Sequence, residues 1–212
     1  KSLYVMLGPG FLFSSLIGIL HMLMYSGMNI VIGYDANIPT QLWIILSYLL
    51  AISFLIAILC FDKEINYYFV FGMYFFISIL LVTLCFERIF PDCYIDGQGL
   101  TLFKKISEYI IIFIYILSLI LLGRLKNIEH EFFSRLSKFI CTLIVSGFFF
   151  TLYSDVFGIF NFLGHYFKFC SFLIIYISLL KDLIVVPYRK ILFDSIHDSS
   201  TGLYNHKFFF ET

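Results

Sequence analysis

The sequence contains little charge and none of the common soluble-enzyme motifs. Only 13% of its 212 residues are Asp, Glu, Lys or Arg, about half the share of a typical soluble domain. Its five cysteines include no C-x-x-C pair and no Cys/His cluster with zinc spacing. H-E-x-x-H, G-x-S-x-G and P-loop patterns are missing as well. No basic patch favours a nucleic-acid partner. The composition therefore argues against a soluble enzyme, a zinc domain and a nucleic-acid-binding protein.

What the chain has in abundance is apolar sequence. Hydrophobic residues make up 61% of it and aromatic residues 21%, and a membrane-spanning helix needs about 20 consecutive apolar residues. Spanning strands are excluded because no two-residue alternation suggests a barrel. We predict an all-α, polytopic transmembrane helical bundle in a lipid bilayer, with about six spans at residues 3–25, 40–60, 67–89, 102–123, 134–155 and 161–181.

The first span is too long for a secretory signal peptide and lacks a small-residue cleavage site. Because the chain begins at Lys1 rather than Met, we allow for one more helix upstream. Segments 33–40, 90–101 and 156–164 are rich in Gly, Pro, Asn and Asp, as connections on one side would be. Cytoplasmic segments carry the excess of Lys and Arg. We therefore predict a cytoplasmic C-terminal helix, because the tail side holds Lys1, Lys63, Arg124, Lys126, Arg135, Lys138, Lys181, Arg189, Lys190 and Lys207, whereas the outer side holds only Arg88, Lys104, Lys105 and Lys168.

Most cysteines fall within predicted spans, where a thiol behaves as a small hydrophobic group. Cys93 differs because it lies in an outer connection. Three interpretations of it stay open: a ligand contact, a redox-sensitive thiol, or half of a strained pair with Cys85.

Polar residues concentrate near the predicted outer ends of the spans. Ionisable groups at membrane depth are costly and usually face the bundle interior or a water-filled cavity. Residues 161, 165 and 168 share one helical stripe, and residues 104 and 108 share another. We expect both stripes to face one outward-opening pocket for a small polar ligand. Its predicted residues are His21, Asn37, Gln41, Trp43, Lys104, Glu108, Tyr109, Tyr153, Asp155, Asn161, His165 and Lys168.

Simpler interpretations compete with this pocket. The pairs Lys104–Glu108, Asp155–Lys168 and Glu87–Arg88 fit interfacial ion pairs at span ends. The imidazoles of His21 and His165 suit a haem iron or, with Glu108 or Asp155, a divalent metal. A plain hydrogen-bonded polar network explains the two histidines equally well.

Three stretches carry a family resemblance: "GILHMLMYSGMNIVIGYDANIPTQLWIILSYL" (18–49), "FPDCYIDGQGLTLFKKISEYIII" (90–112) and "FTLYSDVFGIFNFLGHYFKFCSFLIIY" (150–176). They resemble the third class of membrane-associated sensor (MASE-type) domains of bacterial signalling proteins. The resemblance implies a multi-helix sensor of an unidentified stimulus in the bacterial inner membrane. It also implies fusion to a cytoplasmic cyclase, kinase or phosphodiesterase. Family members usually carry another helix before the position of Lys1.

The C-terminal stretch "DSSTGLYNHKFFFE" resembles the D-x-L-T-G-L-x-N-R-R-x-F start of a GGDEF domain, the diguanylate cyclase module. Ser200 stands where Leu is usual, and His206 and Lys207 replace the two Arg. The resemblance implies a catalytic turn beyond Thr212, so this chain itself is predicted not to be an enzyme. It also implies a homodimer, because two cyclase modules must meet. The matching positions are Asp198, Thr201, Gly202, Leu203, Asn205 and Phe209.

Together these features predict a sensory input domain over residues 1–181, a cytoplasmic connector over 182–198 and the beginning of a GGDEF domain over 199–212. We expect Pro187 to kink or break the exit from the last span. The predicted function is detection of a small outer ligand that regulates a diguanylate cyclase in cyclic di-GMP signalling. A haem- or metal-binding redox sensor, a membrane enzyme and a transporter remain alternatives. Glu108 or Asp155 beside His165 would suit a general base, although the sequence offers no nucleophile with it.

Overall fold

The structure is a computed structural model that describes residues 2–31, 33–61, 63–125, 128–152, 158–198, 201–206 and 208. Six of its helices are long and apolar enough to cross a membrane, so the predicted all-α transmembrane bundle is confirmed. The bundle helices are α1 (Ser2–Met24), α2 (Asn37–Leu59), α3 (Tyr67–Phe86), α4 (Leu102–Leu122), α5 (His130–Leu152) and α6 (Ile159–Leu180).

Two helix boundaries differ from the prediction for identifiable reasons. Helix α3 stops at Phe86 rather than at residue 89, because Arg88 takes a left-handed backbone conformation with φ of 57°, which ends a right-handed helix. Helix α5 starts at His130 rather than at residue 134. Its first turns are charged, but Glu131 and Arg135 form an ion pair one turn apart, at 3.0 Å.

Short elements define the two ends of the bundle. A 3₁₀ turn (Ser26–Met28) follows α1, and an antiparallel hairpin of β1 (Tyr94–Ile95) and β2 (Gly99–Leu100) joins α3 to α4. We call this side the hairpin end. The opposite side, from which the chain leaves α6, is the tail end.

Helix α2 is the central helix. Most of its residues are buried, and Phe54, Leu50 and Ala57 have no exposed surface. Helix α2 packs against α1, α3 and α4, while α5 lies between α4 and α6. The approach of α1 to α2 requires glycine at Gly10, since a Cβ there would lie 2.7 Å from the Cβ of Ser53.

At the tail end, α6 does not break before Pro187, as we expected it to. It continues through a π-helical segment (Lys181–Val185) into α7 (Val186–Ile196), and the residues at both junctions keep right-handed helical angles. Proline lacks an N–H and its ring clashes with the carbonyl one turn earlier in a regular helix. A wider π turn next to Pro187 relieves that conflict.

Beyond α7, the chain folds into a compact turn. The Asp198 carboxylate accepts hydrogen bonds from the Thr201 N–H and hydroxyl, each 3.0 Å long. Gly202 has φ of 70°, which favours glycine. The Asn205 side chain donates back to the Ser195 carbonyl over 2.6 Å. Asp198, Thr201, Gly202 and Asn205 all belong to the motif that resembles the GGDEF start.

Candidate functional site

Five side chains near the hairpin end form what we call the histidine cluster: His21, Trp43, Phe150, His165 and Lys168. The rings of His21 and His165 lie 6.2 Å apart and are nearly parallel. The Trp43 ring contacts both imidazoles, with centroid distances of 5.3 and 4.7 Å, and Phe150 packs on His165 at 5.0 Å. The predicted approach of the two histidines is thus present, with Trp43 between their helices.

Lys168 is the charged member of the cluster. Its Nζ lies 3.8 Å from the centre of the Trp43 ring, a close cation–π contact. The same atom donates to the Ser47 hydroxyl over 3.1 Å. Because Trp43 and Ser47 both belong to α2, this single side chain fastens α6 to the central helix.

Glycine and serine set the position of α6. A Cβ on Gly164 would lie 2.7 Å from the Phe150 ring, so only glycine allows this approach of α6 to α5. Directly beside it, the Ser146 hydroxyl donates to the Gly164 carbonyl over 2.7 Å. These contacts place His165, the next residue, over the rings of Trp43 and Phe150.

Two cavities run along the histidine cluster between α1 and α6, and we call them together the lateral groove. The cavity nearer the hairpin end measures about 330 Å³ and includes Tyr25, Asn161 and His165 in its lining. The deeper one measures about 370 Å³ and includes Trp43 and Lys168. His21 and His165 line both cavities. Each volume lies in the range of small-molecule sites.

Lys104 and Glu108 lie outside the lateral groove. Both are almost fully buried, and their charged groups are 3.1 Å apart. The Lys104 ammonium also donates to the Phe150 carbonyl oxygen over 2.8 Å. Phe150 thus meets Lys104 through its backbone and His165 through its ring. The two predicted helical stripes, one with Lys104 and Glu108 and one with Asn161, His165 and Lys168, therefore both contact Phe150. They do not line one cavity.

Asn37 and Gln41 belong to a third cavity at the hairpin end. The Asn37 carbonyl oxygen accepts from the N–H groups of Cys93 and Tyr94, while the Gln41 amide donates to the carbonyls of Phe90 and Pro91. Both side chains thereby fix the hairpin loop to α2. The cavity measures about 350 Å³ and is lined by Asp35, Asn37, Ile38, Gln41, Arg88, Asp92, Tyr94, Ile95 and Asp96.

The sequence analysis did not predict the charged side chains that line this third cavity, which we call the acidic pocket. Asp35, Asp92 and Asp96 occur in segments rich in Gly, Pro and Asn, where Asp is expected as a turn former, and Arg88 falls at the end of a predicted span. Their spacing along the chain gives no sign that two loops meet. The single available signal was the concentration of Asp in both loops on the same side of the membrane.

One other predicted residue is not brought into the groove. Tyr109 lies on an exposed face of α4, with 57% of its surface accessible. Tyr153 and Asp155 lie outside the described residues, and so does the predicted Asp155–Lys168 pair. Asn161 does line the groove, next to His21 and His165.

The predicted haem or metal site has few protein ligands in the described part of the chain. His21 Nδ1 is 2.7 Å from the Pro39 carbonyl, so this nitrogen carries a proton and donates. Among the described residues, no group of three His, Cys, Asp or Glu side chains is arranged to hold a metal ion. The cluster offers two imidazoles alone, and a bound haem or metal stays a prediction.

Cys93 is buried and unbridged, as is Cys85. Burial raises the pKa of the Cys93 thiol to about 12, more than the nearby Lys104 ammonium lowers it. A thiol with such a pKa is poorly reactive at neutral pH. This geometry favours a packing role for Cys93 over a redox-sensitive one.

These features define the class of the protein. It is a polytopic helical membrane protein with a cluster of polar and aromatic side chains near one end of the bundle and a continuous helix leaving the other end. The chain belongs to the MASE3 family of membrane-associated sensor domains, whose family model matches residues 1–187. No curated protein and no solved structure shows significant similarity to the chain.

Proposed function

We propose that this MASE3 domain detects a small ligand in the lateral groove and passes the occupancy signal along α6 to a cytoplasmic diguanylate cyclase. The observation that carries the proposal is the course of one helix. Asn161, His165 and Lys168 line the groove from the first half of α6, and the same helix runs through the π-helical segment into α7. A shift of α6 against α2 therefore moves the exit from the membrane.

The mechanism requires two packing arrangements of α6. A ligand shifts such an equilibrium only if it binds one arrangement more tightly than the other. The contacts between α6 and α2 include those of Lys168 with Ser47 and with the Trp43 ring, and the contact of the His165 ring with Trp43. A ligand that accepts hydrogen bonds from the Lys168 ammonium in place of Ser47 weakens this attachment of α6 to α2. It thereby favours the second packing arrangement.

The output side of the proposal depends on the tail. The turn after α7 is held by Asp198, Thr201, Gly202 and Asn205, the positions that match the start of a GGDEF domain. This agreement supports a cyclase module that begins near residue 199 and pairs with a second copy in a homodimer.

The orientation that the proposal requires places the hairpin end outside the bacterial inner membrane. Basic residues flank the tail end, including Arg135, Lys138, Lys181, Arg189 and Lys190, as the positive-inside rule predicts for cytoplasmic segments. The ligand then reaches the groove from the outer half of the bilayer or from the outer aqueous side.

A paired substitution in the full-length protein tests this function. His165→Ala removes a ring that faces the groove, and Tyr166→Ala removes a half-exposed ring that does not line the cavities described above. Reconstituted in vesicles with GTP, the His165 variant should change its rate of cyclic di-GMP formation several-fold, while the Tyr166 variant stays near the parent rate. Equal rates in the parent and both variants would contradict signalling through the groove.

A further inference from the structure

The lateral groove is lined by residues that carry hydrogen-bond donors without matching acceptors. An ammonium has three N–H groups, and Lys168 donates to one acceptor, the Ser47 hydroxyl, among the described residues. The Trp43 Nε1 is buried and has no partner in the described part of the chain. Trp43 itself is only 8% exposed and lines the deeper cavity beside Lys168. The groove is therefore built to receive an acceptor.

The charge around these donors is positive. Lys104 and Glu108 neutralise each other as a buried pair, whereas no carboxylate among the described residues lies within ion-pair distance of Lys168. Lys168 is partly buried, and a charge that has little access to water and no counter-ion is costly. An anionic acceptor bound at Lys168 would remove that cost, and a neutral acceptor would not.

The site also lies some distance along the helices from the hairpin end. Lys168 comes about nine residues after the start of α6, which places it roughly 14 Å along the helix. Its partner Ser47 comes about ten residues after the start of α2, which gives roughly 15 Å independently. Both values approach the middle of a hydrocarbon core about 30 Å thick. A charged head group at this depth is costly unless it is paired, and a single carboxylate is smaller and carries fewer polar groups to bury than a phospholipid head group.

The walls of the groove are apolar and face the lipid. Ile19, Met22, Phe169 and Phe172 line the deeper cavity, and Ile19, Met22 and Phe169 are each more than half exposed. A ligand can therefore enter sideways from the acyl region and leave its own chain in contact with lipid. This arrangement suits an amphiphile better than a water-soluble molecule.

From these four observations we infer that the lateral groove binds the carboxylate of a membrane-soluble amphiphile, with a free fatty acid as the chemical type. The carboxylate accepts from the Lys168 ammonium and the Trp43 Nε1–H. This inference names the class of ligand that the groove binds. It rests on the proposed function only for the claim that ligand binding produces a signal. Binding itself can be tested apart from signalling.

The only tryptophan of the chain lies in the site, so its fluorescence reports occupancy directly. The probe is palmitate brominated in mid-chain, because bromine quenches indole fluorescence at short range. Its brominated methyl ester partitions into the same vesicles without a carboxylate and is the matched control. We expect saturable quenching of Trp43 by the acid at a mole fraction about tenfold lower than by the ester, the value of one charge-assisted hydrogen bond.

Three variants assign the effect to the proposed residue. Lys168→Gln should reduce quenching by the acid to the level of the ester, while Lys105→Gln, an exposed lysine at the same end of the bundle, should leave it unchanged. Lys168→Met should remove the selective quenching in the same way, and because it also loses the contacts of Lys168 with Ser47 and the Trp43 ring, it should loosen α6 rather than stabilise it. A lower melting temperature together with unchanged quenching would assign Lys168 to packing and overturn the inference.

The remaining outcomes need only the unaltered protein. Equal quenching by acid and ester, or no saturable quenching by either, would show that the groove does not select a carboxylate. Stronger quenching by a brominated quinone or a brominated anionic phospholipid would replace the ligand class with that one. Selective palmitate binding without any change in cyclase rate would contradict the proposed function but support this binding site. A cyclase rate that depends on His165, without palmitate binding, would support the proposed function but contradict this binding site.

Discussion

Lys104 and Phe150 connect α4 to the last turn of α5, since the Lys104 ammonium donates to the Phe150 carbonyl oxygen over 2.8 Å. Carbonyl groups in the last turn of a helix have no partner within that helix, and α5 ends at Leu152. Glu108 lies 3.1 Å from the same ammonium and balances its charge. The buried pair therefore caps α5 and supports the ring of Phe150 beneath His165.

The capping role predicts strong, non-additive effects on stability. Lys104→Met should lower the free energy of unfolding by about 3–5 kcal/mol, because it leaves Glu108 buried without a counter-ion. Lys104→Met combined with Glu108→Leu should recover about 2 kcal/mol or more of that loss, since no lone charge is left in the interior. Denaturation of the purified protein in mixed micelles measures both variants against the parent.

Glu108→Gln separates this role from ligand binding. We expect it to weaken the fold while the surviving folded protein keeps its palmitate-dependent quenching of Trp43. If the quenching disappears and the stability is unchanged, Glu108 belongs to the ligand site, as the sequence suggested, and the capping interpretation fails.

Much of the bundle could be predicted because hydropathy and span length depend on the chain alone. The rotation of each helix about its axis could not. His165 and Glu108 have similar predicted depths, yet Phe150 packs between the surroundings of the two side chains. The face of α4 that meets α5 depends on contacts such as that of Gly147 with Ile112. The acidic pocket was equally hidden, because Asp92 and Asp35 come together only when two distant loops meet.

The orientation of the bundle leads to a labelling prediction. Gln98 lies in the hairpin turn, next to Gly97, whose φ of 79° makes it the poorer site for a new side chain. Glu129 lies exposed at the tail end. In a cysteine-free background, Gln98→Cys should react with a membrane-impermeant maleimide added to intact cells, and Glu129→Cys should react only after the membrane is opened. The reverse pattern would contradict a cytoplasmic tail and the proposed function with it.

The native Cys93 should behave differently from a cysteine at position 98. With a pKa raised by burial to about 12, its thiolate fraction at about pH 8 is on the order of one in ten thousand, against roughly a quarter for an ordinary thiol. Because a cysteine loses its proton as pH rises, its labelling should speed up with pH throughout the range in which the fold survives. Rapid labelling of folded protein at about pH 7 would restore the redox-sensitive interpretation.

Arg135 and Asp182 hold the start of the π-helical segment against α5. The Arg135 guanidinium donates to both Asp182 carboxylate oxygens over 2.7 Å and to the Ser178 hydroxyl over 2.8 Å. Asp182→Asn should destabilise this attachment by about 1–3 kcal/mol and increase hydrogen exchange in Lys181–Val185. Lys181→Gln is the control. Its pair with Glu131 is exposed to solvent and contributes little to stability, so similar exchange in the two variants would argue against a specific clamp.

Pro187 is the residue that makes the π-helical segment necessary, and its replacement should alter the signal rather than the binding. A π turn acts as one residue inserted into an α-helix, so converting Lys181–Val185 to regular α-helix would rotate the face of α7 by roughly 100°. Pro187→Ala permits that conversion because it restores an N–H and removes the ring clash.

In the full-length protein, Pro187→Ala should therefore change the cyclase rate, and its response to bound palmitate, at least several-fold. The affinity measured by Trp43 quenching should stay within about twofold of the parent, because the groove lies at the other end of α6 and shares no contact with Pro187. Tyr188→Ala, an exposed neighbour on α7, controls for general disturbance of that helix. An unchanged response in the Pro187 variant, with hydrogen exchange showing that the π turn has become α-helical, would show that the rotation of α7 carries no signal.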